Sequence, residues 1–292
     1  MSSTKATILL LGGTGKVASR IAKRLSEANY SVLQASRSGK STASYQNCSG
    51  VKFDWSDEST YDLPFYGPAI AAVFIVSPPV LNNLEPSKKF IEIARKKGVN
   101  RFVLLSASLL EVGDGPAMAQ VSKYIAELGV DYAILRSTWF MENFSEGQHQ
   151  PTIRDSSQFY TASGDGKVPF VSADDIANVA FCALTDEKPH NTDHLILGPE
   201  LFTYDEAAAL ISSKLGHTVT HVRITKEQFK EGLMKYGVEE AFATMLASLD
   251  TYVSQGWEAN LNDVVEKVTG KKPKTFEAFV EECAEKGVWV KK

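Results

Sequence analysis

At 292 residues, with 43% hydrophobic and 23% charged residues, the chain has an ordinary globular composition and room for one large domain, or a core domain with a smaller lobe. A net charge of −4, with the basic residues scattered, gives no footprint for nucleic acid, and no stretch reaches the roughly 18 consecutive apolar residues of a membrane span. The first residues are few, polar and continuous with an apolar run, so no signal peptide is expected and a cytoplasmic location is the default.

Residues 7–11 form an apolar run, followed by a stretch in which Val17, Ile21, Leu25 and Ala28 share one helical face. Residues 31–35 and 51–53 read as second and third strands, and 71–76 as a fully apolar fourth. A helix over 85–97 is ended by Gly98, and a fifth strand covers 101–106. A helix over 116–128 is ended by Gly129, and a sixth strand spans 131–136. Apolar runs separated by helices of this length predict parallel strands buried on both faces. Right-handed crossovers then leave an α/β fold, a doubly wound parallel Rossmann sheet. After Arg136 the rhythm changes. The turn-rich run Ala162-Ser163-Gly164-Asp165-Gly166 flanks short strands, and a helix begins at Ala173 with Ser172 and Asp175 spaced as a capping box. Thr203 with Glu206, and Thr225 with Gln228, mark two further helix starts in the same way. The expected division is a Rossmann domain over 1–150 and a smaller, mostly helical substrate lobe over 151–292, interleaved with the sheet.

The turn Leu11-Gly12-Gly13-Thr14-Gly15-Lys16-Val17-Ala18 stands between an apolar strand and an amphipathic helix, the context a dinucleotide-binding glycine loop requires. Gly12 permits the tight turn, and Gly15 lets backbone approach a pyrophosphate at the helix N-terminus. Thr14, Lys16 and Val17 complete the expected contacts, while Ala18 replaces a third glycine. A purely structural turn is the alternative. The second strand ends at Ala35-Ser36-Arg37-Ser38-Gly39-Lys40. An NAD enzyme usually places an acid here to hold the ribose 2′-hydroxyl, yet none lies between Glu27 and Asp54. Arg37, Lys40 and the hydroxyls of Ser36 and Ser38 could instead surround a 2′-phosphate, so NADP(H) is expected, against the alternative of a solvated basic turn. Asp54 and Trp55 are expected near the adenine, and Ser77 and Pro78 near the ribose and nicotinamide.

Ketone-reducing short-chain dehydrogenases pair Tyr-x-x-x-Lys with a serine, the tyrosine protonating the developing alkoxide. Ser106 and Ser108 could supply the serine, Ser106 also touching the cofactor. The pair itself is missing, because Tyr124 is followed four residues later by Leu128 and Tyr132 by Arg136. Hydride addition to a substrate that is already cationic, such as an iminium, needs no proton donor at the product atom. It needs orientation and a pocket that tolerates positive charge. No side chain is therefore singled out as an acid or base. Cys48, Cys182 and Cys283 are odd in number and widely spaced, which argues against disulfides and structural zinc. His190 with His194, and His217 with His221, lie in turn-like or β-rich sequence without the glutamate of a zinc-enzyme motif, so no metal is expected.

The runs 11–18, 101–108 (RFVLLSAS), 135–144 (LRSTWFMENF) and 164–177 (GDGKVPFVSADDIA) resemble the NmrA-like atypical short-chain dehydrogenases. The runs 197–201 (LGPEL) and 245–250 (MLASLD), with Gly270 before the final helix, are similar to the festuclavine and agroclavine dehydrogenase branch, fungal enzymes of ergot alkaloid biosynthesis. The resemblance covers nearly the whole chain. It implies an NADPH-dependent reductase acting on a cyclic iminium of an indole alkaloid, formed when an aldehyde and a secondary amine condense. Ser137 departs from it, standing where proline typically follows Leu-Arg, and the segment 57–69 is short. Trp139, Phe140 and Asn143, with Ser108 and Phe170, are the expected substrate contacts, Trp139 and Phe140 by stacking on an indole. Core packing is the alternative reading, above all for Met141 and Phe144. Asp174 and Asp175 read as helix caps. Glu142 either balances an iminium charge or lies on a helix surface. Two other functions suit the same residues: an NADP(H)-bound Pictet–Spengler type cyclase, and a non-catalytic NAD(P)-sensing regulator. A small-molecule indole alkaloid is the expected partner, with oligomeric state left open.

Overall fold

The structure is a computed structural model that describes residues 5–41 and 45–291. The chain opens with β1 (Lys5–Leu10), α1 (Lys16–Glu27), β2 (Tyr30–Ser36), β3 (Cys48–Lys52) and β4 (Ile70–Val76). It continues through α2 (Leu84–Lys96), β5 (Arg101–Ala107), α3 (Met118–Glu127) and β6 (Asp131–Ser137). These strands, with the later β8 (Thr192–Ile196), form a seven-stranded sheet in the order β3-β2-β1-β4-β5-β6-β8. Pairing is parallel between β1 and both β2 and β4, between β2 and β3, and between β4 and β5. The doubly wound Rossmann sheet is therefore present. Strand order reverses between β1 and β4, and open α/β sheets hold ligands beyond the carboxyl ends of the strands at that reversal.

The helical face read from the sequence is the buried one: Val17, Ala18, Ile21, Ala22 and Leu25 of α1 are shut off from solvent. Gly98 and Gly129 follow α2 and α3 as expected. The third strand starts three residues before the expected 51–53, because Val32 already pairs with Cys48. Helix α3 is shorter at its start than the expected 116–128. Ala117 takes φ 53°, outside helical geometry, and Gly113 N–H bonds back to Ala119 O, so residues 111–117 fold onto the first turn instead of extending it.

Two compact units divide the chain, one of residues 1–136 and 176–195, the other of 137–175 and 196–292. The core of the first joins Leu9, Val73, Phe90, Phe102, Leu104 and Ile134. The second holds α4 (Gln150–Ser156), β7 (Gln158–Thr161), α6 (Tyr204–Leu215), β9 (Thr220–Arg223), α7 (Lys226–Lys235), α8 (Glu240–Ser254), α9 (Val264–Thr269) and α10 (Phe276–Glu285). Helix α5 (Ala173–Thr185) crosses the boundary in sequence. The second core is aromatic: Phe144, Phe159, Phe170, Tyr204 and Phe276 are each at most 2% exposed. Both later capping boxes form as read, Thr203 with Glu206 and Thr225 with Gln228. No helix among the described residues is long and apolar enough to cross a membrane.

Candidate functional site

The glycine turn is shaped by what lies behind it. Gly12 sits at φ +60°, a conformation L side chains rarely adopt. A Cβ on Gly13 would lie 2.8 Å from Gln34 Cα in β2, so no side chain fits there. Gly13 N–H donates to Ala35 O at 2.9 Å, and fully buried Gln34 Nε2 donates to Gly13 O at 2.7 Å. The turn is thus laced to β2 from below. Gln34 was not anticipated, although a glutamine inside an apolar strand was a signal available to find it. Gly15 is the N-cap of α1, with no side-chain cap and no acid in the first turn, and Thr14 and Gly15 are exposed. The positive end of the helix is thereby left to whatever anion approaches. Lys16 is half-buried, and Val17 spends its side chain in the core at 3% exposure, which leaves only its backbone for a ligand.

The end of β2 is a second, basic turn. Ser36 Oγ donates to Lys40 O at 3.1 Å and lies 3.3 Å from Ser38 Oγ, while Lys40 N–H donates to Ser38 Oγ. The serines hold the turn's shape, and the cations project from it: Arg37 and Lys40 are exposed and make no ion pair with a described residue. Asp54 accepts from both the N–H and the hydroxyl of Ser56, which hold its carboxyl below the usual range, with Arg37 adding attraction. Trp55 donates Nε1 to Val76 O at 3.0 Å and meets Phe53 edge-on at 4.9 Å, so it fastens the carboxyl end of β4. Pro78 is buried, and beside it Ser77 Oγ is buried with no hydrogen-bond partner among the described residues.

At the end of β5, Ser106 and Ser108 are 4% and 6% exposed. Arg136 organises this corner. Its guanidinium grips Glu111 at 2.5 and 3.0 Å, meets Asp193 at 2.8 Å, and donates to Ser108 O at 2.7 Å. It is a brace at the end of β6. Tyr124 is unsuited to proton transfer. Its hydroxyl bonds Glu92, and burial with that carboxylate pushes the phenol up to about 12.

In the second unit, Trp139, Phe140 and Asn143 are half-buried, whereas Met141 and Phe144 are fully buried core. Phe170 is 2% exposed and lies flat against Phe276 at 5.3 Å, so core packing accounts for it. Glu142 does not lie on a helix surface. It is 2% exposed and accepts the Ala173 N–H at 2.7 Å and Ser172 Oγ at 3.3 Å, capping α5 from outside that helix. Ser172 accepts the Asp174 N–H at 3.1 Å, and Asp175 gives an oxygen to the Lys274 N–H at 2.8 Å. Sequence reasoning also passed over Glu258, which is 3% exposed and accepts Thr138 Oγ1 at 2.7 Å.

Two histidine networks are present among the described residues. Asp205 accepts His221 Nδ1 at 2.7 Å, and His221 Nε2 meets Thr161 Oγ1 at 2.8 Å, which is the acid–imidazole–hydroxyl order of nucleophilic catalysis. Thr161 and its neighbour Ser163 are 2% and 0% exposed, so the network staples β7 and β9 to α6. His190 and His194 share a hydrogen bond of 2.8 Å with Asp186 on the far nitrogen, and no group of three or more metal-type ligands is present among the described residues.

A parallel sheet that reverses at β1 and β4, with an uncapped glycine turn at the reversal, defines a Rossmann-type dinucleotide fold. The chain belongs to the NmrA-like family, whose profile matches residues 4–280. Agroclavine dehydrogenase of Claviceps fusiformis is 42% identical over 291 residues, covering 97% of this chain and 99% of that protein. Festuclavine synthase II of Penicillium roqueforti (strain FM164) is also 42% identical, with the same coverage. Among solved structures, Citrobacter sp. triphenylmethane reductase complexed with NADP(H) has a TM-score of 0.75 at 21% identity, covering 95% of this chain and 99% of that one, a likeness of fold.

Proposed function

We propose that the chain is an NADPH-dependent reductase of a cyclic iminium in ergot-type indole alkaloid biosynthesis. The observation that carries this reading is its 42% identity, over 97% of its length, to proteins named for agroclavine and festuclavine. The residues suit the cofactor. Gly12 and Gly13 let the turn pack against Val76 and Gln34, the uncapped α1 N-terminus at Gly15 suits a pyrophosphate, Arg37 and Lys40 offer positive charge for a 2′-phosphate, and Ser77 holds a buried hydroxyl in need of a partner. The chemistry NADPH supplies when bound is hydride. Adding hydride to a cationic carbon–nitrogen double bond gives a neutral amine directly, so the chain's work is orientation and exclusion of water, not proton transfer. That agrees with Tyr124 being locked to Glu92 and with the missing Tyr-x-x-x-Lys pair.

The test is a paired assay: purified protein with NADPH and an indole amino-aldehyde, following cofactor absorbance and product mass together. Loss of NADPH with a product one hydride heavier than the iminium is the expected result. A cyclised product with NADPH unconsumed would replace the reductase with a cyclase. Cofactor binding with neither change would leave a sensor.

A further inference from the structure

A carboxamide buried inside an apolar strand is costly unless it finds partners. Gln34 is fully buried in β2, between Leu33 and Ala35, and each end of its amide is bonded to a different turn. Nε2 donates to Gly13 O at 2.7 Å, in the glycine turn. Oε1 accepts the hydroxyl of Ser41, which closes the basic turn carrying Arg37 and Lys40. The amide can face only one way. Gly13 O is an acceptor, so the NH2 must meet it, and the oxygen is left for a donor. The backbone is shaped to allow both bonds. A Cβ on Gly13 would stand 2.8 Å from Gln34 Cα, so the glycine turn runs directly over the strand. Gly50 is the residue paired with Gln34 on β3, and a Cβ there would overlap Gly39 O and Ser41 N. The two turns thus converge on Gln34, and one planar group is bonded to both.

We propose that Gln34, acting through Ser41, is the positioning residue that fixes the basic turn relative to the glycine turn, and with it the preference for a cofactor bearing a 2′-phosphate. The proposal rests on the reading of the cofactor as NADPH and names what sustains that preference besides the cations themselves. The pyrophosphate and the 2′-phosphate are carried on one ribose, so the ligand dictates how far apart its anions lie. Arg37 and Lys40 are long, exposed side chains. If their turn could shift against the α1 N-terminus, each binding event would have to order it, at a cost in affinity. An amide bonded to both turns sets the separation before the ligand arrives. Gln34 and Ser41 need not touch the cofactor to do this.

The experiment measures binding by titration calorimetry, so it does not depend on turnover or on the substrate. The probes are 2′,5′-ADP, which carries a 2′-phosphate and a 5′-phosphate standing for the pyrophosphate, and 5′-AMP, which lacks the 2′-phosphate. Ser41→Ala removes the link at the basic turn and spares the Gln34 bond to Gly13. Its preference for 2′,5′-ADP over 5′-AMP should fall about 3- to 10-fold from wild type, the span of one neutral hydrogen bond. Ser41→Thr keeps a hydroxyl and should retain most of the preference. Gln34→Met keeps the volume, removes both bonds, and should lower the preference at least as far. Adding Ser41→Ala to it should lower the preference no further, because the two side chains form one link. A preference unchanged in Ser41→Ala overturns the proposal and leaves the pair as scaffolding, as do losses that simply add in the double variant, or a Ser41→Thr no better than Ser41→Ala. Should Gln34→Met fail to fold, the two Ser41 variants decide. A wild type that binds both probes alike sinks the NADPH reading, and this proposal with it; a wild-type preference that survives Ser41→Ala sinks the proposal alone.

Discussion

Asp250 offers a test of the second unit's electrostatics that needs no substrate. It lies on α8 at 4% exposure, with Oδ2 accepting the Ala162 N–H at 2.9 Å. One amide does not replace a shell of water, and burial pushes the carboxyl from the usual 3.8 up to about 6. A folded-state value above the unfolded one means that folding disfavours the ionised form. Stability is therefore reduced above pH 6 and recovered as the pH falls toward 4. A gap of about two pH units corresponds to about 3 kcal/mol at pH 7 and falls to under about 1 kcal/mol at pH 4. Asp250→Asn can accept the same N–H without a charge, so it should stabilise the protein at pH 7. For a chain of 292 residues this amounts to roughly 5 °C in Tm. The readout is the difference in urea or thermal unfolding between variant and wild type from pH 4 to 7. The wild-type curve alone is not enough, because burial and neighbouring His190 hold His194 down to about 4, and a depressed histidine loses stability as pH falls below 6.5. An Asp250→Asn that is less stable at pH 7, or a gap as large at pH 4 as at pH 7, would refute the reasoning.

Arg37→Ala should raise the KM for NADPH roughly 5- to 20-fold and leave that for NADH nearly unchanged, an exposed charge contact being worth the lower end of the usual range; equal losses for both cofactors would remove Arg37 from the 2′-phosphate. Gly13→Ala should abolish NADPH binding in a fluorescence titration and lower Tm, because its Cβ would meet the backbone of Gln34 at 2.8 Å, and strands do not yield as side chains do. Arg136→Met should cost about 2–4 kcal/mol in urea unfolding. The lower end is expected, since Glu111 is 67% exposed and can rehydrate; a cost near zero would mean that the Ser108 corner holds without its brace.

What the sequence made legible is the part of the molecule governed by backbone periodicity. Apolar runs at strand length, helices stopped by Gly98 and Gly129, and two capping boxes all depend on local chemistry, and each formed where it was read. Misjudged boundaries have local causes of another kind. At Ala117 a positive φ keeps the chain out of the helix, and no propensity scale carries the tertiary bond from Gly113 that goes with it. The surface reading of Glu142 fails for a related reason. Its 3-10 turn looks like surface in one dimension, and only the return of residues 172–173 in space supplies the N–H it caps.

The glycine turn and the buried polar pair of the second unit differ in legibility for the same reason. A dinucleotide is held largely by backbone, so its cradle must be written in glycines and a helix start within a few consecutive residues, and a reader finds it at 12–17. Side chains, by contrast, can be brought together from anywhere. Thr138 and Glu258 stand 120 residues apart and meet at 2.7 Å. No spacing rule joins them, and composition hides one glutamate among 35 acids. The clue to Glu258 lies in its burial against the grain of its neighbours, a property that exists only once the chain is folded.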